Sequence, residues 1–207
     1  MRWMWIDRIL ECTPGERIVA IKNVSLAEDY LHDHFPAERD LARAMAIEHD
    51  NAGTGSGTGA GTGPGSADRP HAKRLDPAVD PLPVMPAALL IEGMAQTAGI
   101  LVGYTNAFKE KVVLAKVNRA IFHLEVLPGQ TVRYEAKIEN MDASGALASG
   151  TIEVIDHRRA AGTRIPIGEV ELMFSHLDQN MAGTQFPDEN FVFTENFAYV
   201  LREAGLL

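Results

Sequence analysis

Six segments of the chain alternate apolar with polar residues or carry β-branched runs: Met4 to Leu10, Arg17 to Val24, Val112 to Phe122, Thr131 to Ile138, Ala146 to Ile155 and Ile167 to Phe174. A period of two places every second side chain on one face of an extended backbone, so each segment is predicted as a strand. Turn chemistry separates them at Thr13-Pro14-Gly15, Leu127-Pro128-Gly129-Gln130 and Ala143-Ser144-Gly145. The last two turns are short enough to predict antiparallel pairing of the strands they join. Between the second and third strands the pattern changes: Leu82 to Tyr104 is apolar on nearly all sides once Pro86 has opened a helix. Glu92 and Gln96 fall inside that stretch and Pro83 and Pro86 shorten it, so a buried core helix is expected and membrane insertion is not. The predicted fold class is α+β, an antiparallel β-sheet wrapped around one long central apolar helix. Beyond Phe186 the tail is rich in phenylalanine, and Thr194 is placed to cap a last amphipathic helix running to Leu207.

A contrasting stretch interrupts this pattern. Seven glycines occupy alternate positions from Gly53 to Gly65, with no side chain able to anchor a core, so a disordered tract is expected. Every one of these glycines has an odd number, whereas the dinucleotide and nucleoside triphosphate fingerprints each need two glycines five apart, so parity excludes both. Ala37 to Asp50 has the makings of a short charged helix, and Asp68 to Pro81 mixes charges with prolines. The organisation read from this is a single domain over residues 1–178 interrupted by a flexible insertion at 37–81, followed by a C-terminal extension at 179–207.

Composition narrows the function classes. At 207 residues, with 46% hydrophobic and 23% charged residues, the chain has the means to bury a globular core. A net charge of −9 presents a polyanion with a repulsive field, which argues against nucleic acid as a partner. The lone Cys12 excludes an internal disulfide and a thiolate cluster, and the early Asp7 breaks any secretory apolar run, so a reducing cytoplasm is the expected compartment.

Two residues stand out chemically. Glu92 lies on an otherwise uncharged helix, where desolvating a carboxylate costs several kcal/mol unless it is paired, protonated or used. It is a candidate general acid or the partner of a structural arginine. His34 sits in Tyr30-Leu31-His32-Asp33-His34-Phe35-Pro36, just where the insertion begins. His32 and His34 are too few for zinc, which takes three or four protein ligands, so no metal is expected.

In order along the chain, Asp7-Arg8-Ile9-Leu10, Ile21-Lys22-Asn23-Val24-Ser25, His34-Phe35-Pro36 and Pro83-Val84-Met85-Pro86-Ala87-Ala88-Leu89-Leu90-Ile91-Glu92-Gly93-Met94-Ala95-Gln96 resemble the (3R)-3-hydroxyacyl-acyl carrier protein dehydratases of fatty acid synthesis. The resemblance implies a hot dog fold and a homodimer, or an oligomer of such dimers, with the two sheets joined. It implies that His34 of one subunit faces Glu92 of the other. His34 would take the α-proton of a 3-hydroxyacyl thioester and Glu92 would assist departure of the hydroxyl, giving a trans-2-enoyl thioester without metal or organic cofactor. Backbone N–H groups around Ala87 and Ala88 would polarise the thioester carbonyl. Phe35, Pro36, Met85, Pro86, Gln96 and Phe122 would line the substrate tunnel. The substrate handle would be acyl carrier protein or coenzyme A.

Departures from the resemblance are specific. The interval from His34 to Glu92 is longer than the family's by about 44 residues, an extension whose loop-closure cost is only about 2–3 kcal/mol. Family glycines are replaced by Asp33, Ala37 and Ala87. The family's basic cluster is replaced around Phe122 by Ile121, His123 and Leu124. Lys109, Lys111, Lys116, Arg119, Arg133 and Lys137 outnumber Glu110, Glu125 and Glu135, and are expected to offer an acidic carrier another docking surface. Two other readings stay open: a non-catalytic acyl-binding or partner subunit of the same fold, and a hot dog thioesterase.

Overall fold

A computed structural model describes residues 4–32, 35–36, 83–158, 162–177 and 195–207. Their elements, in chain order, are β1 (Arg8–Thr13), β2 (Arg17–Asn23), α1 (Asp29–His32), β3 (Phe35–Pro36), β4 (Pro83–Val84), α2 (Ala87–Thr105), β5 (Lys111–Phe122), β6 (Gln130–Asp142), β7 (Gly145–Asp156), β8 (Arg164–Leu177) and α3 (Glu195–Glu203). Strands β1, β2, β6, β7, β8 and β5 form one sheet in that order, every neighbour antiparallel. The sheet packs against α2, as the α+β reading expects. Of the 19 residues of α2, ten are buried, among them Leu90, Met94, Ile100 and Leu101. By length and composition this helix is able to cross a membrane, but it lies within the sheet's core.

Alternation sets the two faces of the sheet. Val132, Tyr134 and Ala136 of β6 and Ala148, Ile152 and Val154 of β7 point at α2, while Arg133, Glu135, Ser149 and Glu153 point away. All six predicted strands exist. The first starts later than its pattern suggests: Trp5 and Ile6 are buried beneath the helix, and the Trp5 N–H donates to the Gln96 side chain (2.8 Å) instead of to a strand.

One pairing differs from expectation. The Ala143–Gly145 turn closes the β6–β7 hairpin, with the Asp142 carboxylate accepting from the Ser144 N–H (2.7 Å). The Leu127–Gln130 turn does not join β5 to β6, because β5 lies at the sheet edge beside β8. Its hydrogen bonds go elsewhere: the Gly129 N–H donates to the Val24 carbonyl (2.8 Å), and the Val24 N–H to the Gln130 carbonyl (3.0 Å). That pair of bonds ends β2 against β6, and a left-handed backbone at Gly129 (φ 86°) makes the corner.

The residues proposed as an insertion, 37–81, lie outside the described residues, but the chain on either side of them is paired. β3 and β4 are antiparallel, with Phe35 opposite Val84 and Pro36 opposite Pro83. The chain therefore departs and re-enters at adjacent points, two residues before Pro86 and the start of α2. Thr194 is likewise outside the described residues, and the helix expected after it is α3, which buries Val200 and Leu201 in the core.

Close packing of α2 on the sheet rests on two glycines. A Cβ on Gly93 would run into the Tyr134 hydroxyl and ring and lie 3.0 Å from the Trp5 carbonyl oxygen. On Gly150 it would meet only the Met94 thioether, the far end of a flexible side chain. Gly93→Ala is expected to destabilise the protein by about 2 kcal/mol, even after the helix propensity gained. Gly150→Ala should cost about half as much. Urea unfolding of the two variants at equal protein concentration checks the order; equal midpoints would refute it.

Candidate active site at the helix opening

The helix opening is built by three short-range devices. The Met85 N–H donates to the Val126 carbonyl (2.9 Å), which fixes the chain entering α2. Pro86 follows with φ −59° and ψ 139°, a conformation its ring favours, and its carbonyl accepts from the Leu89 N–H (2.9 Å). No side chain caps the helix and its first turn holds no acidic residue. The first N–H groups, at Ala87 and Ala88, thus point outward at the positive end of the helix dipole, and both residues are exposed. Met85 is buried in the core cluster beneath, and Pro86 is half-buried.

Ala88, Glu92, Gln96 and Gly99 follow one another at helical spacings of four, four and three, and so share a stripe. Each is exposed or half-buried, as are Ala87, Leu89 and Ile91 beside them, whereas Leu90, Gly93, Met94 and Ala95 are buried against the sheet. Glu92 is therefore not sealed in the core as the apolar sequence around it suggests. It stands on the side of α2 that its own sheet covers least. Its Oε1 accepts from the Gln96 Nε2 (2.9 Å), and no arginine or lysine pairs with it among the described residues.

His34, Asp33 and Ala37 lie outside the described residues. Strand β3 begins at the residue after His34 and sets Phe35 opposite Val84, three residues before Ala87. The segment leading to it is anchored by a buried charge cluster that sequence reading did not reveal. The Lys22 ammonium, on a residue only 6% exposed, donates to Asp7 Oδ1 (3.0 Å) and to Glu28 Oε1 (2.6 Å), at the base of α1. Burial by itself would lower the Lys22 pKa, but its hydrogen bonds to the Glu28 and Asp7 carboxylates and their negative charge outweigh that and raise it. Asp7 also accepts from the Asn23 N–H (2.7 Å), so the start of β1, the end of β2 and the α1 loop share one knot.

Phe122 is half-buried at the far end of β5, and Gly168 makes its place: a Cβ there would sit 2.6 Å from the Ile121 carbonyl oxygen and 2.8 Å from the Phe122 ring. Gly168 thus makes room for Phe122, with no signal of that in a single sequence. The inner side chains of edge strand β5, Leu114 and Val117, remain 40% and 38% exposed, so the sheet carries an uncovered apolar margin beside the helix.

Folding pairs off half of the cations expected to form a docking surface. Arg133 is buried and donates to Glu153 (2.8 Å) and Glu135 (2.9 Å), Arg119 pairs with Glu169 (3.4 Å), and Lys137 with Glu135 (3.9 Å). Carboxylates on the same or adjacent strands pair with three of the six cations; Lys109, Lys111 and Lys116 have no ion pair among the described residues. A cavity of about 240 Å³ opens on the same outer face, lined by Arg119, Lys137, Glu139, Thr151 and Glu169. It lies on the side of the sheet away from α2, so it is no part of the Glu92 site. Among the described residues no three His, Cys, Asp or Glu side chains group as metal ligands.

Comparison with known proteins gives this arrangement a context. Residues 80–161, which include α2, match the model of the FabA-like domain. The 3-hydroxyacyl-acyl carrier protein dehydratase FabZ of Solibacter usitatus is 30% identical over 154 residues, covering 73% of this chain and 67% of that protein. The FabZ of Clostridium kluyveri is 26% identical over 179 residues, covering 86% and 88%. Among solved structures, the dehydratase heterocomplex ApeI:P of Xenorhabdus doucetiae aligns over 86% of this chain and 85% of its own, with a TM-score of 0.47 and 11% identity.

Replacing Lys22 leaves two carboxylates facing each other without their shared cation. Lys22→Met is expected to lower stability by about 3 kcal/mol at pH 7. A raised ammonium pKa contributes fully below its unfolded value and is lost only as pH climbs through the folded one. The difference in urea midpoint from the parent should therefore be flat between about pH 6 and 9; a gap that closes steadily over that range would refute the assignment.

Proposed function

We propose, given that the chain belongs to the 3-hydroxyacyl-acyl carrier protein dehydratase family, that it converts (3R)-3-hydroxyacyl thioesters to trans-2-enoyl thioesters, with Glu92 and His34 as its acid and base. Water leaves by breaking the bond from C3 to the hydroxyl and the C–H bond at C2. The α-proton is only weakly acidic, so one group must accept it while another protonates the departing hydroxyl. His34 is the base and Glu92 the group that delivers the proton. The N–H groups of Ala87 and Ala88 stabilise negative charge as it builds on the thioester oxygen, in the uncompensated field of the helix start.

The observation that carries this reading is the position of Glu92. An acidic side chain kept on the least covered side of an apolar helix, with no cation paired to it among the described residues, next to an uncapped helix N-terminus, has the surroundings that acid catalysis on a thioester needs. The uncovered margin at Leu114 and Val117 supports a homodimer in which a second copy's β5 extends the sheet and brings its His34 to this Glu92. Pairing of β3 with β4 supports reading 37–81 as an insertion within one domain. Phe35, Pro36, Met85, Pro86 and Phe122 bound the acyl tunnel, the reaction uses no metal or organic cofactor, and the enzyme works in the cytoplasm on a carrier-bound substrate. Lys109, Lys111 and Lys116 are the cations left to meet an acidic carrier.

Hydration of a trans-2-enoyl thioester, the reverse reaction, tests the reading. Turnover is expected on a carrier-protein thioester, with weaker turnover on the coenzyme A thioester, and a fall of at least about 100-fold in both His34→Ala and Glu92→Gln. Mixing the two inactive variants should restore part of the activity if the residues meet across a dimer. A folded protein that turns over neither thioester, or that releases free thiol instead, would overturn the proposal.

A further inference from the structure

The turn ahead of β6 holds more than its own corner. The buried Gln130 side chain folds back over it, and because a peptide N–H can only donate, the bond from Leu127 N (2.8 Å) obliges the Gln130 oxygen to face that peptide. The amide nitrogen is then left facing Asp156 at the end of β7, and it donates to Oδ2 (3.3 Å). Asp156 is a carboxylate only 6% exposed, and Arg158 fixes it by donating to both oxygens (2.9 and 2.6 Å) and, through its backbone N–H, to Oδ1 again (3.0 Å). Closing the turn needs only the bond to Leu127; a carboxylate buried at the other end of the amide adds rigidity instead. That rigidity reaches two segments. Val126 accepts from the Met85 N–H (2.9 Å) at the opening of α2, while Gly129 and Gln130 exchange backbone bonds with Val24 (2.8 and 3.0 Å), where β2 leaves the sheet toward α1.

We propose that Gln130 is a positioning residue for the helix opening: held by Asp156, it fixes the turn that carries Val126, and through the bond from Met85 to Val126 it sets where the Ala87 and Ala88 N–H groups meet the substrate carbonyl. The inference rests on the dehydratase reading, in which those N–H groups stabilise charge on the thioester oxygen. Pro86 has no N–H, so the Met85 N–H is the last backbone donor ahead of the helix, and the carbonyl that receives it is the point from which the helix start hangs. Donors that stabilise a developing charge act in full only when held within about 0.5 Å of their working position before the substrate arrives. A turn free to shift by more than that would carry the first N–H groups with it.

Steady-state hydration of an enoyl thioester, together with the infrared carbonyl stretch of a bound, isotopically labelled saturated acyl thioester, separates positioning from turn stability alone. Gln130→Glu keeps an acceptor for the Leu127 N–H but sets two carboxylates against each other; combining it with Asp156→Asn exchanges donor and acceptor and restores the pair. Gln130→Glu is expected to lower kcat by about 10- to 30-fold with KM within about twofold, and to move the carbonyl stretch toward its position in an apolar solvent. The double variant should recover most of both. Arg158→Gln, at the exposed end, leaves the fold in place and should lower kcat by about threefold, with a smaller shift of the same sign. A Gln130→Glu protein with a lower urea midpoint but parental kcat and stretch, or a double variant no better than the single, would overturn the inference and leave the dehydratase reading intact. Should Gln130→Glu fail to fold, parental kcat and stretch in Arg158→Gln would overturn it equally. A parent protein that hydrates no enoyl thioester would instead remove that reading, and this inference with it.

Discussion

The contact of Gly93 with the Tyr134 ring and the Trp5 carbonyl sets how closely the helix can approach the sheet. A helix apolar on nearly every side has no face to give to water, and it can be buried only if the sheet curves around it and the helix sinks deep. At Gly93 the backbone itself touches the sheet, and burial holds the Tyr134 phenol far above its ordinary pKa, so no charge develops there. Depth at this point fixes the rotation of α2, and rotation decides that Glu92 and Gln96 emerge on the side covered least. The placement of Glu92 is in this sense a by-product of one missing methyl group.

The six strands and the central helix are legible in the sequence because alternation and all-round apolarity are local signals. What escaped is non-local. β3 and β4 are two residues each, too short for any period, and they pair across residues 37–82. The Lys22 knot joins Asp7 and Glu28, which the sequence keeps apart. The turn before β6 carried good turn residues, yet its hydrogen bonds go to Val24. Of the candidate site, Glu92 and the helix opening could be singled out from residue type alone, whereas the orientation of Gln96 needed the Trp5 backbone beside it.

Charge counting along the chain misled for a related reason. Arg119 and Arg133 look like part of a basic run when only their own strands are read, but their partners Glu153, Glu169 and Glu171 are supplied by β7 and β8. On an antiparallel sheet, neighbours across strands lie closer than neighbours two residues away along one. A field estimated from sequence proximity overstates what an approaching acidic protein meets. The outer face is a lattice of paired charges that screens the sheet from water, and Arg133, although charged, is as buried as a core residue.

The β3–β4 pair has a consequence for the engineer. Its two strands place Pro36 and Pro83 side by side, one interstrand spacing of about 5 Å apart. A foreign domain whose own ends lie close together can be spliced in at this port without pulling the strands apart, since the bridge that closes the ring is already made. The scaffold thus offers a splice point beside the start of its central helix, where a reporter, a binding module or a second enzyme could be set.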